Sequence, residues 1–453
     1  MKKYLLHILL ALMFLSSCTQ DEFEPDPVGE QIPVEEIDKE LIEELSGSGS
    51  SSLFQKALEK SNVFKELDNR SQITFFVPTD NALKEAGINQ QTIDQMTSEQ
   101  CDTLVQYHTV EGQLDPAKIE QTVGNICMPT KCVDKKLRVS NVNGTEAYRY
   151  AHYVSVNNNQ ILIDGKVSGT FNRQQTKDAD VIYIDRLLKR PTKDMLTFLK
   201  EDGRFSIFLE IIKRNDEMYY PATVYPYDQM YDQTGQYIYN NLNYDYQNKL
   251  MRSKLSDKTK IVKEEIAARN PNIEMLSLFA PTDDAFKKAG FNKAEDLRIL
   301  NDHMYYSKYY IDHTEEWGWE YIEFQFPTNY ARDGAPYDYG AFLKSDSIIS
   351  YHAWGEKYLP INKGSVKPTL FFSNDLIQDY MKNYIISMAG YDPIKIPAIY
   401  NPFIFTQGND GKIQVKLKNA KEGIEGATII EPDIMTLNGP IHVVDRLFIP
   451  KDF

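Results

Sequence analysis

The sequence predicts an α+β fold of two repeated domains, and three observations carry that expectation. The segment Ile73-Thr-Phe-Phe-Val-Pro-Thr-Asp-Asn-Ala-Leu83 returns as Leu276-Ser-Leu-Phe-Ala-Pro-Thr-Asp-Asp-Ala-Phe286. A second segment, Val181-Ile-Tyr-Ile-Asp-Arg-Leu-Leu188, returns as Ile441-His-Val-Val-Asp-Arg-Leu-Phe448. The length of 453 residues suits two domains with room for decoration. Repetition of whole supersecondary segments in the same order is the mark of a duplicated unit.

Each copy opens on helical patterns, at Ser51 to Leu67 in the first and at Met195-Leu-Thr-Phe-Leu199 with Arg204-Phe-Ser-Ile-Phe208 in the second. Next comes a short apolar run that reads as a buried strand, stopped by Pro78 or Pro281. Thr79-Asp80 and Thr282-Asp283 then have the chemistry of helix caps, since short oxygen-bearing side chains accept the free amides of a first helical turn. Both helices run into Ala-Gly, at Ala86-Gly87 and Ala289-Gly290, where glycine supplies the left-handed C-terminal turn. The β-branched closing segments read as the last strand of each unit.

Strand, Pro-Thr-Asp, helix and a terminal Asp-Arg-Leu strand resemble the fasciclin-like domain. In the first copy Tyr107-His108, within Leu104-Val-Gln-Tyr-His-Thr-Val-Glu-Gly112, matches that family's Tyr-His motif. In the second, Asn438-Gly-Pro-Ile-His442 matches its Asn-Gly-x-x-His lead into the last strand. The resemblance implies two fasciclin-like domains, each a small twisted β-sandwich wedge flanked by short helices, the second with long insertions. It also implies that Thr79, Asp80, Tyr107, His108, Thr282, Asp283 and His442 are the family's motif residues, structural caps and packed side chains first, in a region associated with integrin-type adhesion. Two departures stand out. The first copy has Asp178-Ala179 and Ile182 where the second has Asn438-Gly439 and His442, and the second lacks an evident Tyr-His, leaving His303 and then His313 as candidates. Asp80 to Arg186 spans 106 positions and Asp283 to Arg446 spans 163, so the second copy is the decorated one. The expected layout is a signal peptide over 1–17, a lipidated cysteine and acidic tether over 18–38, domains over 39–190 and 191–453, and insertions at about 215–272 and 305–400.

The N-terminus has Lys2 and Lys3, then a run from Leu5 to Leu15 that is apolar apart from His7. That run is too short to span a bilayer and suits a signal-peptide core. It ends in Leu15-Ser-Ser-Cys18, which resembles the lipobox of bacterial lipoproteins; an ordinary secretory cleavage site that contains Cys is the other reading. The lipobox implies acylation of Cys18 and anchoring to outer-membrane lipid, since two or more chains hold a protein stably. Thr19 to Asp38 holds eight carboxylates, three prolines and no Lys or Arg, so it is too charged to collapse. The acids after Cys18 resemble the surface-export signal of Bacteroidetes lipoproteins, which implies exposure on the cell surface; a plain spacer would leave the protein periplasmic.

The chain carries 50 Lys plus Arg against 65 Asp plus Glu; without Lys2 and Lys3 the basic count is 48 and the formal charge −17. Such a surface does not attract nucleic acid. Cys127 and Cys132 are close enough to close a small disulfide loop in an exported chain, with Cys101 left as a buried or half-buried thiol in a helix. No zinc-ligand spacing, phosphate loop, serine elbow or calcium loop is present, so no catalytic residue, metal or cofactor is expected.

The distinctive feature is aromatic. Tyr219, Tyr220, Tyr225, Tyr227, Tyr231, Tyr237, Tyr239, Tyr244 and Tyr246 crowd one expansion of the second domain, and the stretch from Tyr305 to Tyr358 holds all three tryptophans, Trp317, Trp319 and Trp354. Flat side chains with a polar edge dominate recognition surfaces, and they also pack long insertions down as satellite cores. The sequence therefore points to a non-catalytic adhesion or binding module for a surface protein or a glycan. The alternative is an accessory subunit of a starch-utilisation-type nutrient importer, docked on a TonB-dependent transporter and its lid lipoprotein. A glycan-cleaving enzyme, with a carboxylate pair hidden by distance in sequence, is the third.

Overall fold

The computed structural model describes residues 39–66, 72–141, 144–214, 275–298, 305–306, 341–342, 345–355, 370–387 and 399–451. Cys18, the acidic tether, all nine tyrosines of 219–246, Trp317, Trp319, His303 and His313 lie outside them.

The first sheet contains β1 (Ile73–Pro78), β2 (Thr109–Glu111), β3 (Ile126–Asn141), β4 (Gly144–Asn157), β5 (Gln160–Ile163), β6 (Lys166–Thr170), β7 (Arg173–Gln175) and β8 (Asp180–Ile184). Its strand order is β6-β5-β4-β3-β2-β1-β8-β7. The sheet curls back on itself, so that β6 returns beside the end of β8 and Asp185 N donates to Ser168 O at 2.8 Å. All six residues of β1 are buried, which explains why it reads as a continuous apolar run. Its side chains alternate between two cores. Phe75 and Val77 face a helix-side core with Leu41, Phe54 and Val181. Phe76 faces the inside of the curl with Tyr107, Val154 and Ile182.

The second half repeats this frame. After β9 (Leu276–Pro281) come the short pair β10 (Tyr305–Tyr306) and β11 (Ala341–Phe342), then β12 (Ala353–Gly355), the pair β13 (Ile385–Ser387) and β14 (Ile399–Tyr400), and β15 (Phe403–Gln407), β16 (Ile413–Leu417), β17 (Ala427–Thr436) and β18 (Gly439–Val444). The main sheet runs β12-β9-β18-β17-β16-β15. In both halves the first strand lies parallel to the last, with Phe75 opposite Val181 and Leu278 opposite Ile441. β12 takes the place of β2: Thr74 pairs with Val110 as Ser277 pairs with Trp354. The bulged β17 pairs with both β16 and β18, a task split in the first sheet between β6 and β7.

Two expectations change. Residues 345–355, expected within an insertion of about 305–400, belong to the second domain's own fold; β12 is an integral strand, and Trp354 sits in it. Cys127 and Cys132 form no disulfide: on β3, whose register shifts between Pro129 and Val133, Cys132 is buried in the core while Cys127 is exposed. Cys101 is a buried thiol in the helix Ser98–Tyr107.

The two domains share a seam. Asn125 Nδ2 donates to Asp375 Oδ2 at 2.6 Å, and Asn374 Nδ2 donates to Asn125 Oδ1 at 3.0 Å and to Ser155 Oγ at 2.9 Å. The rings of Tyr153 and Phe372 lie 5.0 Å apart. Burial pushes the Asp375 carboxyl above its usual range although Tyr380, the Phe372 amide and Asn125 all donate to it. Deeper in, Tyr148 OH donates to Leu437 O at 2.7 Å, and Leu437, 1% exposed, completes the core of the first domain's curl. Truncating Leu437 to Ala is therefore expected to weaken the first domain by about 2–4 kcal/mol. Hydrogen exchange across β3 and β4 checks this; unchanged protection there would mean that the first core closes without its neighbour.

Candidate functional site: the repeated motif residues

The Pro-Thr-Asp segments end a buried strand and cap two helices at once. Thr79, extended at φ −62° and ψ 158°, accepts the Ala82 amide at 3.3 Å and so starts the helix Asp80–Glu85. Asp80 reaches back to the preceding helix, Ser52–Lys60, taking the Leu53 amide at 2.8 Å and the Ser52 hydroxyl at 2.7 Å. The second copy repeats each bond. Thr282 accepts the Ala285 amide at 3.2 Å, and Asp283 takes the Ile207 amide at 2.8 Å and the Ser206 hydroxyl at 2.6 Å. These carboxylates are engaged by donors that pin helix to strand.

His108 ends the helix Ser98–Tyr107 and is fully buried. Its Nδ1 donates to Leu104 O at 2.8 Å and its Nε2 accepts the Leu188 amide at 3.1 Å, joining the helix end to the segment after β8. With both nitrogens engaged in an apolar setting, burial lowers its pKa to about 3. Tyr107 beside it packs edge-on against Tyr150, and burial raises its phenol well above the ordinary range.

The second domain's counterpart is Tyr351-His352, in place of His303 or His313. His352 accepts the Phe448 amide at 3.2 Å on Nε2, and Phe448 matches Leu188 in the repeated closing segment. Its Nδ1 donates to Phe279 O at 2.8 Å, its ring stacks on Phe448 at 4.3 Å, and burial again lowers its pKa to about 3. β12 follows His352 as β2 follows His108. In the sequence His352 stands 69 positions after Asp283, whereas His108 stands 28 after Asp80.

Asn438 and Asp178 also prove equivalent. Asn438 Oδ1 accepts the Met195 amide at 2.9 Å, and Asp178 Oδ2 accepts the Leu41 amide at 3.2 Å, so each holds the opening helix of its domain. Gly439 follows at φ +121°, where a Cβ would lie 2.0 Å from Leu276 O; no side chain fits. His442, fully buried, donates from Nε2 to Phe371 O at 2.8 Å and accepts the Asp433 amide on Nδ1 at 3.3 Å.

His152 was not singled out by sequence. It is buried on β4, with Nδ1 2.8 Å from Asp164 Oδ2 and Nε2 2.8 Å from Tyr107 O. Each ring nitrogen therefore faces an oxygen, one from a side chain and one from the backbone. The signal was there: Tyr148, Tyr150, His152 and Val154 alternate along β4, and all four are buried. Among the described residues no group of three or more His, Cys, Asp or Glu is placed to hold a metal, and no helix is long and apolar enough to cross a membrane.

A family model for the fasciclin domain matches residues 49–190. No curated protein matches the chain. Among solved structures the chain is similar to a FAS1 domain pair from the insect cell adhesion molecule Fasciclin I, at 12% identity, over 88% of this chain and 97% of that one, with a TM-score of 0.26. The two-domain fasciclin-like fold stands on the family model in the first half and on the repeated register and hydrogen bonds in the second.

The paired histidines set a pH dependence. Unfolded rings titrate near 6.5 and these folded ones near 3, so in between the unfolded chain binds protons that the folded one does not. Their contribution to stability is fully present above pH 6.5 and is lost as the pH falls toward 3, at up to about 1.4 kcal/mol per pH unit for each ring. Replacing both by Gln is expected to flatten the fall of the urea midpoint between about pH 7 and 5. An equally steep fall in the double variant would contradict it.

Proposed function

We propose that the protein is a non-catalytic binding or adhesion module, held outside the cytoplasm by a lipid at Cys18 and recognising a surface protein or glycan through the tyrosine- and tryptophan-rich segments of its second domain. One observation carries most of this reading. The motif residues that could have done chemistry are consumed by the fold: His108 and His352 have both ring nitrogens engaged and are buried, and Asp80 and Asp283 each hold two donors of a neighbouring helix. Fasciclin domains are associated with cell adhesion and binding, and the match over residues 49–190 supports that class of function. The second domain supplies the recognition chemistry, because an otherwise acidic chain concentrates its Tyr and Trp there.

The test is capture of the partner from outer membranes by the full chain, compared with deletion of 218–247 and with Trp317→Ala/Trp319→Ala. Loss of the captured protein or glycan, with the neutral His108 and His352 signals still present by NMR, is the expected result. Undiminished capture by both variants would overturn the assignment of the surface. Recovery of a stoichiometric TonB-dependent transporter would identify the partner as import machinery.

A further inference from the structure

Asp433 is an expensive residue to keep. It lies within β17 at φ +57°, a left-handed conformation that non-glycine residues seldom adopt, and it is 1% exposed. Its carboxylate accepts the Ser373 amide at 2.8 Å and also the Ser373 hydroxyl, while its Oδ1 stands 3.8 Å from His442 Nδ1. These contacts tie the start of the helix Ser373–Leu376 to the last two strands of the second domain. Gly165 of the first domain lies directly against the same carboxyl group: a Cβ added there would fall 2.4 Å from Asp433 Cγ and 2.5 Å from Oδ2.

Gly165 is itself fixed. It follows Asp164 in the turn between β5 and β6, at φ +78°, and Asp164 is anchored by the Tyr153 amide at 2.9 Å and by His152. Arg186 supplies charge from the first domain. Its Nε donates to Ser168 Oγ at 2.8 Å, its Nη2 donates to Ile163 O at 2.6 Å, and it is attracted by both Asp164 and Asp433. Left-handed backbone and a buried carboxylate each cost free energy, and surrounding structure has to compensate for both. Here Ser373 and His442 compensate from within the second domain, and Gly165 of the neighbouring domain closes over the carboxyl group.

We propose that Asp433 and Gly165 form a latch that holds the two domains as one rigid body, the absence of a side chain at Gly165 letting the turn between β5 and β6 seat directly on the Asp433 carboxyl group. Replacing Gly165 with any side chain should open the seam while leaving each domain folded.

Hydrogen exchange on the full chain tests this, with Gly165→Leu, Asp433→Asn and the control Gly87→Leu. Gly87 has nearly the same backbone, φ +83°, but nothing lies within 4 Å of an added Cβ, so the control carries the backbone strain without the clash. In Gly165→Leu, amides along 151–155 and 371–376 are expected to exchange at least about tenfold faster, with β1 and β8, and β9 and β18, still protected. Asp433→Asn keeps the size and the tolerance of left-handed backbone but removes the charge, and should move the same amides in the same direction. Gly87→Leu should leave them unchanged. Should Gly165→Leu fail to fold, Asp433→Asn decides alone. Seam amides that stay as protected as in the native protein, or that loosen equally in Gly87→Leu, would overturn the latch.

Discussion

The constraint on which each domain depends is the parallel pairing of its first and last strands. Parallel neighbours cannot be joined by a tight turn, so everything between β1 and β8, or between β9 and β18, is one long loop that the pairing must close. The recurring motif residues are the local bonds that hold this closure. Asp80 and Asp283 fix the start of the preceding helix to the end of the first strand, and His108 and His352 receive the amide that follows the last one. Closure cost grows only with the logarithm of loop length. Stretching the interval from 106 to 163 positions adds roughly 0.4 kcal/mol. A frame clamped at its ends can thus accept large insertions between them, and the second domain does.

The same bonds explain why these residues are poor candidates for chemistry. A histidine that donates to a carbonyl and accepts from an amide in a dry core has no free nitrogen to exchange protons with a substrate. The seam adds a second consequence. Leu437 closes the core of its neighbour and Asp433 lies against Gly165, so the two domains share packing across the seam.

Sequence reasoning reached the parts governed by local chemistry. The buried strands, the Thr caps and the closing segments repeat because hydrogen bonds between near neighbours demand particular residue types at particular offsets. Tyr351-His352 was not legible as the counterpart of Tyr107-His108, because an insertion displaces it along the chain. Asp178 and Asn438 align in sequence as a departure, yet they accept the equivalent helix-start amide with different side chains. The alternation along β4 that buries His152 was legible but went unread. The seam was not legible at all, because contacts between Asn125 and Asp375, or Gly165 and Asp433, are distant in sequence and follow no period. Cys127 and Cys132 stay apart because they lie five positions apart on one strand, where alternation sends one outward and the other into the core.

The most direct test of the repeated frame is to identify the ring that accepts the Phe448 amide, using NMR scalar coupling across the hydrogen bond. The account requires a coupling between that amide and His352 Nε2, mirrored by one between the Leu188 amide and His108 Nε2. A coupling from Phe448 to His303 or His313, or none to any histidine while Leu188 shows its own, would contradict it.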